Sequence, residues 1–212
     1  MKLENTINIG RKPEPVLLDK VIQDIQDSLL KRLPWLDKAF GRAYRLVAHE
    51  SEGGKYIYPA AYIGNSEYVS LVPNDNFGNF SWFDIYDPQK ITAVTQALPQ
   101  FTFTGALVFW VNLDSIFADA DFIYSEEIKD EIVRALTSPG LISNTGRLTI
   151  NAIYERFENI YKGYSIEKIY NDFVYSSQDI QALDKQFFMH PYTAFRVEFE
   201  LTTRELCQRY IK

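Results

Sequence analysis

The sequence has few of the residues that most often carry redox or metal chemistry. Its 212 residues include one cysteine, Cys207, and two histidines, His49 and His190. A single cysteine excludes an intramolecular disulfide and an all-cysteine metal site. Cys207 has no evident activating neighbour, so we expect a packed thiol. No carboxylates accompany the histidines in a ligand pattern, and we interpret His49 as the polar end of a strand and His190 as a strand-entry residue.

Several longer patterns are missing as well. The chain has no Gly-x-Ser-x-Gly elbow, no glycine-rich phosphate loop and no His-Glu-x-x-His motif, although an enzyme need not carry any of these. No apolar run approaches the length of about 18 residues that a membrane span needs, and no charged-then-apolar signal segment opens the chain. The net charge of −6 argues against non-specific nucleic-acid binding, which depends on basic residues neutralising phosphates.

Two polar segments superficially suggest cation binding. The first is a set of carboxylates around a predicted helix start: Asp114, Asp119, Asp121, Glu126, Glu127, Asp130 and Glu131. Acids at a helix start favour the helix dipole and point outward, so we interpret them structurally. The second is the segment 74–79, whose asparagine, aspartate and glycine spacing fails the calcium-loop pattern and suits a tight loop. We therefore expect no metal, cofactor or catalytic residue.

Aromatic residues and amphipathic periodicity are what the sequence does have. It contains 14 tyrosines and 15 phenylalanines, and tyrosine suits half-buried surfaces because its ring packs while its hydroxyl stays hydrated. A helical period from Pro15 to Leu33 predicts a first helix ended by Pro34. A second helix is predicted from Ser125, as its N-cap, to Ser138. Ser177 is a candidate cap for a short helix over 178–189.

Strand patterns occupy most of the rest. The predicted strands are Ala43–His49, Tyr56–Ile63, Tyr68–Val72, Phe80–Tyr86, Phe101–Leu113 and Arg147–Tyr154. Turns are predicted at 52–55 and at Gly64-Asn65-Ser66. Phe101–Leu113 is apolar on both sides, which predicts a central strand covered on both faces. Residues 156–175 give no clear helix or strand pattern.

The last strand has the clearest pattern. Phe195–Leu201 alternates apolar and polar residues without error, which predicts one face on the core and a charged row of Arg196, Glu198 and Glu200 in water or protecting a sheet edge. The sequence thus predicts an α+β fold: a mainly antiparallel sheet of about five to seven strands with two helices packed on it. Residues 1–14 are expected to form a polar arm, and 15–212 a single domain.

The order of these elements resembles a family. A leading helix ending in Leu33-Pro34-Trp35-Leu36, a meander, the helix at Ile128–Leu136 and the closing Phe195–Leu201 strand with Cys207 behind it look like tail-terminator or head–tail neck proteins of tailed phages and prophages. The segments 64–99 and 144–188 are longer than in a minimal terminator. The resemblance implies a ring-forming structural protein without catalytic residues, present in the bacterial cytoplasm during assembly and then in the virion.

Two functional hypotheses follow. In the first, the chain self-associates and contacts other virion proteins, and the candidate interface residues are Arg196, Glu198, Glu200, Tyr56 and Tyr58. The alternative is a small-molecule-binding protein or unrecognised enzyme with an aromatic cleft near Trp82, Trp110 and Tyr86 and an acid such as Asp84. Packing of the tryptophans in the sheet is the simpler interpretation of the same residues.

Overall fold

The computed structural model describes residues 11–49, 55–73, 77–93, 99–118, 124–142, 146–165 and 191–204. The predicted positions His190, Cys207, 74–76, 119–123 and 178–189 lie outside the described residues. The described residues include three α-helices, α1 (Leu17–Arg32), α2 (Ser125–Thr137) and the single turn α3 (Phe157–Ile160), and a 3-10 turn at Leu113–Ser115. Among the described residues, no helix is long and apolar enough to cross a membrane.

Eight strands accompany the helices in the part of the chain that the structure describes. Their bounds are β1 (Lys38–His49), β2 (Lys55–Gly64), β3 (Glu67–Ser70), β4 (Phe80–Ile85), β5 (Lys90–Ala93), β6 (Pro99–Asn112), β7 (Gly146–Tyr154) and β8 (Tyr192–Arg204). The seven predicted strands correspond to β1, β2, β3, β4, β6, β7 and β8. Strand β1 begins five residues earlier than predicted, at Lys38, because its first residues pair in parallel with the start of β4.

The strands form one mixed sheet in the order β3-β2-β1-β4-β6-β8-β7, with β5 also paired to β6. Every pairing is antiparallel except the parallel one between β1 and β4. The predicted α+β class is confirmed, with eight strands instead of five to seven. Strand β5 is the addition, four residues that the sequence pattern did not indicate.

The two long helices have the predicted bounds to within two residues. The buried face of α1 carries the expected apolar stripe, including Leu18, Ile25 and Leu29. The predicted N-cap of α2 is wrong: Ser125 is already the first helical residue, and Tyr124 occupies the cap position without a side-chain hydrogen bond. Glu126 and Glu127 lie in the first turn, where acidic side chains complement the helix dipole.

The sheet has a hydrophobic core on each face. On one face the helices pack against alternate residues of the central strands, among them Phe83, Leu107 and Val197. On the opposite face a second core gathers around Trp82 and Trp110. The prediction that β6 is a central strand covered on both sides is therefore confirmed, and burial of its apolar side chains on both faces stabilises the sheet's centre.

Strand β8 lies inside the sheet and is not at its edge. It pairs with β6 from Tyr192 to Arg204 and with β7 on its other side. The expectation that its charged row protects an edge is therefore wrong, because β7 continues the sheet beyond β8. The expectation that this row faces water is wrong for Arg196, whose side chain is only 1% exposed.

Asn79 joins three parts of the fold. Its buried side-chain Nδ2 donates to Trp35 O and to Ser115 Oγ, each at 2.9 Å. Its Oδ1 accepts the backbone N–H of Asn112 at 2.7 Å. These bonds tie the segment after α1 to the start of β4 and the end of β6, so the amide fixes their relative positions.

Replacing Asn79 by alanine is expected to lower the free energy of unfolding. The change leaves buried groups on Trp35 and Asn112 without their partner, and each such loss costs about 1–3 kcal/mol. Urea denaturation measures the effect. Asn151→Ala, at an exposed position of β7, is the matched control and is expected to stay within about 0.5 kcal/mol of the wild type. Equal effects of the two substitutions would contradict this role.

Candidate functional site

A charged cluster lies on the face of the sheet opposite α1 and α2. Its centre is a buried ion pair in which Arg196 Nη2 donates to Asp84 Oδ2 at 2.8 Å. The two side chains are 1% and 4% exposed. Asp84 on β4 and Arg196 on β8 are both paired to β6, through Ala106 and Val108. The alternation of sides along β8 predicted a solvated Arg196, but in the fold it directs this side chain toward residues that cover the sheet.

Two further groups complete the charged cluster on the sheet. Arg196 Nη2 also donates to the hydroxyl of Tyr86, which in turn donates to Glu198 Oε1 at 3.2 Å. Glu198 is half-buried, and its carboxylate lies 3.8 Å from Arg196 Nε. The cluster therefore shares one guanidinium between two carboxylates and a phenol, which offsets the cost of removing the charges from water.

Residues 156–165 cover this cluster. Arg196 Nη1 donates to the carbonyl oxygen of Ile160 at 2.9 Å, and the Tyr164 hydroxyl donates to Asp84 Oδ1 at 3.0 Å. The Tyr161 hydroxyl donates to the carbonyl of Leu71 at 3.2 Å. Ser165 N–H donates to the carbonyl of Ile57 on β2 at 2.8 Å. One short segment is thus fastened to β2, β4 and β8.

The backbone near Asp84 comes close to Gly105 of β6. A Cβ at Gly105 would lie 2.6 Å from the Asp84 carbonyl oxygen, a distance that side chains do not tolerate. Glycine here permits the close approach of β4 and β6. It thereby helps to set the position of the Asp84 carboxylate beneath residues 156–165.

The environment shifts the pKa values of the cluster's phenols upward. Burial raises the pKa of Tyr86 to about 12 despite the opposing effect of Arg196. Burial and the neighbouring Asp84 carboxylate raise the pKa of Tyr164. Burial lowers the pKa of Arg196, but Asp84 and Tyr86 outweigh it, and the net shift is upward. The phenols are therefore neutral donors, and the guanidinium is charged, at neutral pH.

The residues of the predicted aromatic cleft are packed instead of forming an open cleft. Trp82 is fully buried, with ring centroids 6.0 Å from both Tyr161 and Tyr164. Trp110 is also buried and stacks on Tyr192 at 5.8 Å. Asp84 is held by its bonds to Arg196 and Tyr164. The geometry agrees with the simpler interpretation, in which the tryptophans pack the sheet.

The acidic residues of α2 engage neighbouring side chains. Glu126 pairs with Lys129, Asp130 pairs with Arg134 at 2.7 Å, and Glu131 accepts a hydrogen bond from Trp35 Nε1 at 2.6 Å. Asp119 and Asp121 lie outside the described residues. Within the part of the chain that the structure describes, no group of three histidine, cysteine or acidic side chains is placed to hold a metal ion. His49 is exposed at the end of β1.

Exposed tyrosines gather at the other end of the sheet, on β1, β2 and β3. We call Tyr44, Tyr62 and Tyr68 the tyrosine face. The ring centroid of Tyr68 lies 5.7 Å from that of Tyr44 and 5.2 Å from that of Tyr62, in edge-to-face arrangements. Their exposed fractions are 39%, 40% and 47%. Two rings that pack against a third and remain this exposed form a preorganised apolar surface that also carries polar hydroxyls.

The predicted interface residues fall in two places. Tyr56 and Tyr58 lie on β2 opposite Ala48 and Leu46 of β1, and they pack against the core around Trp82 and Trp110. They are half-buried, with ring centroids 6.0 Å apart. Arg196 and Glu198 belong to the charged cluster, and Glu200 is exposed farther along β8. The five residues therefore do not form one continuous surface.

The sequence interpretation missed Tyr44, Tyr62 and Tyr68. A signal was present, because Tyr62 and Tyr68 flank the predicted Gly64-Asn65-Ser66 turn, and antiparallel pairing across that turn brings them opposite each other. Tyr44 required the register between β1 and β2. Tyr164 was missed as a member of the charged cluster, because residues 156–175 gave no clear pattern.

Breaking the Arg196–Asp84 pair is expected to destabilise the fold strongly. Asp84→Asn or Arg196→Met alone leaves a buried charge without its counterion, and each is expected to cost about 3–5 kcal/mol in urea denaturation. The double substitution removes both charges and is expected to cost clearly less than the sum. Asp130→Asn, in the exposed pair with Arg134, is the control and is expected to cost under about 1 kcal/mol. Additive effects of the buried substitutions would contradict the coupling.

The raised phenol pKa values predict a loss of stability at alkaline pH. Because the pKa of Tyr86 is about 12 in the folded state, and about 10 for an unperturbed tyrosine, the unfolded chain loses its phenolic protons first. The contribution is complete below pH 10 and is lost as the pH rises toward 12. Unfolding free energies measured at pH 9 to 11 are expected to fall less steeply in Tyr86→Phe than in the wild type. Identical slopes would contradict the assignment.

The sequence matches no protein-family model, and a search of curated proteins finds no match. The charged cluster and the tyrosine face are therefore the features of the molecule that bear on its function.

Proposed function

We propose that the chain is a non-enzymatic structural or assembly protein of a phage or prophage particle, a ring-forming tail-terminator or neck component. In this role it associates with itself and with other virion proteins. It is in the bacterial cytoplasm during assembly and in the virion afterwards. The family resemblance of the sequence motivates the assignment, and one structural observation supports its mode of action.

That observation is the tyrosine face. Tyrosine is enriched at protein interfaces because a rigid ring supplies contact area at a small entropic cost and its hydroxyl tolerates water. Tyr44, Tyr62 and Tyr68 are already held against one another, so little ordering is needed when a partner covers them. A surface of this kind is what an assembly protein presents to its neighbours.

The charged cluster supports the same function by stabilising the sheet. Its carboxylates and guanidinium engage one another beneath residues 156–165, so they reinforce the sheet that carries the tyrosine face. Tyr164 connects the two features, because its ring lies under the guanidinium of Arg45 on β1 at 4.9 Å. A rigid connection of this kind keeps an interface on β1–β3 in a fixed orientation relative to the central strands.

The proposal is tested by capture and by particle composition. The chain is expected to capture at least one product of the genes adjacent to its own, with portal, capsid and tail-tube proteins as the candidates, and to be present in purified particles. Tyr62→Thr with Tyr68→Thr is expected to reduce capture about tenfold or more, because truncating interface aromatics costs more than 1 kcal/mol each. Ile91→Thr, at a 68% exposed position on β5, is the matched control.

Two results would contradict the proposal. One is a chain that is absent from particles and captures none of the neighbouring products. The other is particle formation that proceeds normally, with heads joined to tails of uniform length, after the gene has been deleted. Circular dichroism and thermal melting of each variant separate a lost contact from a lost fold.

A further inference from the structure

The tyrosine face carries a positive charge and no acid. Arg42 precedes Tyr44 by two residues on β1, so both lie on the same side of the strand. The Arg42 guanidinium is 5.5 Å from the centroid of the Tyr44 ring, and its Nη2 lies 3.5 Å from the Tyr44 hydroxyl. The guanidinium is thereby held over the aromatic surface.

The strand registers show which other residues lie on the same side of β1, β2 and β3 as Tyr44, Tyr62 and Tyr68. Tyr44 is opposite Ala60, Ala60 is opposite Ser70, and Tyr62 is opposite Tyr68. Leu46 and Ala48, which follow Tyr44 at alternate positions of β1, are uncharged. Lys55, Arg45 and Glu67 occupy alternate positions and lie on the other side. Among the described strand positions, the tyrosine face thus combines aromatic rings with a single cation, Arg42.

Such a surface is complementary to an acidic partner, and the chain itself supplies one. Its net charge is −6. The outer side of α2 is acidic on balance, because the exposed Glu126, Glu127, Asp130 and Glu131 outnumber Lys129 and Arg134, which pair with Glu126 and Asp130. The inner side of the helix packs in the core through Ile128, Ile132 and Leu136. This acidic surface and the tyrosine face are different patches of one subunit, which is what a heterologous contact requires.

We propose that the tyrosine face binds a second copy of this chain through the acidic outer surface of that copy's helix α2. The proposal rests on the assembly function proposed above and names its partner. Each copy uses one patch to bind and offers the other, so the contact repeats from copy to copy. Repetition of a heterologous contact gives a ring when the rotation closes and a filament when it does not.

Sedimentation velocity over a range of concentrations tests the aromatic half of the contact. The wild type is expected to self-associate. Replacing Tyr44, Tyr62 and Tyr68 by threonine, which suits a strand, is expected to weaken association at least about tenfold. Ile91→Thr removes an apolar side chain on β5 that is more exposed than the three tyrosines, and this variant is expected to associate as the wild type does. Thermal melting verifies that each variant is folded.

Charge exchange tests the partner surface. Arg42→Glu and Glu127→Lys are each expected to weaken association about tenfold, because each places like charges across the contact. The chain that carries both substitutions restores opposite charges and is expected to associate more tightly than either single variant. A wild type that is monomeric at all concentrations, threonine variants that associate normally, or a double variant no better than the singles would overturn the proposal.

These experiments distinguish a failure of the proposed contact between copies from a failure of the proposed assembly function. A chain that enters particles but is monomeric in solution, and cannot be cross-linked to a second copy in the particle, overturns this contact and leaves the assembly function standing. A chain that associates through Arg42 and Glu127 but never enters particles overturns the assembly function and supports the contact.

Discussion

The buried pair between Arg196 and Asp84 is the interaction on which the arrangement of the second sheet face depends. It lies beneath residues 156–165, and the same guanidinium donates to the backbone of that segment at Ile160. A buried cation is costly unless its charge is matched and hydrogen bonds engage most of its donors, as the bonds from both Nη atoms of Arg196 do. The Arg196 guanidinium bonds to Asp84 of β4, to Tyr86 directly after β4, and to a carbonyl 36 residues earlier in the chain. Two separate parts of the sequence, around β4 and around Ile160, are thereby fixed to one side chain of β8.

This arrangement divides the aromatic residues into two groups with different roles. Trp82, Tyr161 and Tyr164 pack over the charged cluster and are enclosed with it. Tyr44, Tyr62 and Tyr68 lie on β1–β3 and remain substantially exposed. The high tyrosine content therefore has two physical explanations in one molecule: a packed layer that completes the fold, and a surface suited to a protein partner.

The regular elements were largely predictable from local patterns. The helical stripe from Pro15 to Leu33 is α1 to within two residues at its start and one at its end, and the doubly apolar Phe101–Leu113 pattern is the central strand β6. Burial periodicity is strong in such long segments, and glycine and proline mark where they stop. Strand β5 and the turn α3 are only four residues long, too short for a periodic signal. The candidate site was less predictable, since Asp84 and Tyr86 were recognised only as members of a cleft and Tyr164 was not recognised at all.

Local sequence patterns are enough to locate α1, α2 and most strands, because each has an apolar face that must leave water. They also indicate that Arg196 points away from Phe195 and Val197, since neighbouring strand residues alternate sides. That this side of β8 is covered follows from the packing of distant segments and from no local pattern. An alternating strand has the same pattern whether its polar side meets water or a second layer, and the covering segment comes from residues 156–165. Likewise, the pairing of β1 with β2 and of β2 with β3 decided that three tyrosines from separate strands share one exposed surface, because register is a property of paired strands.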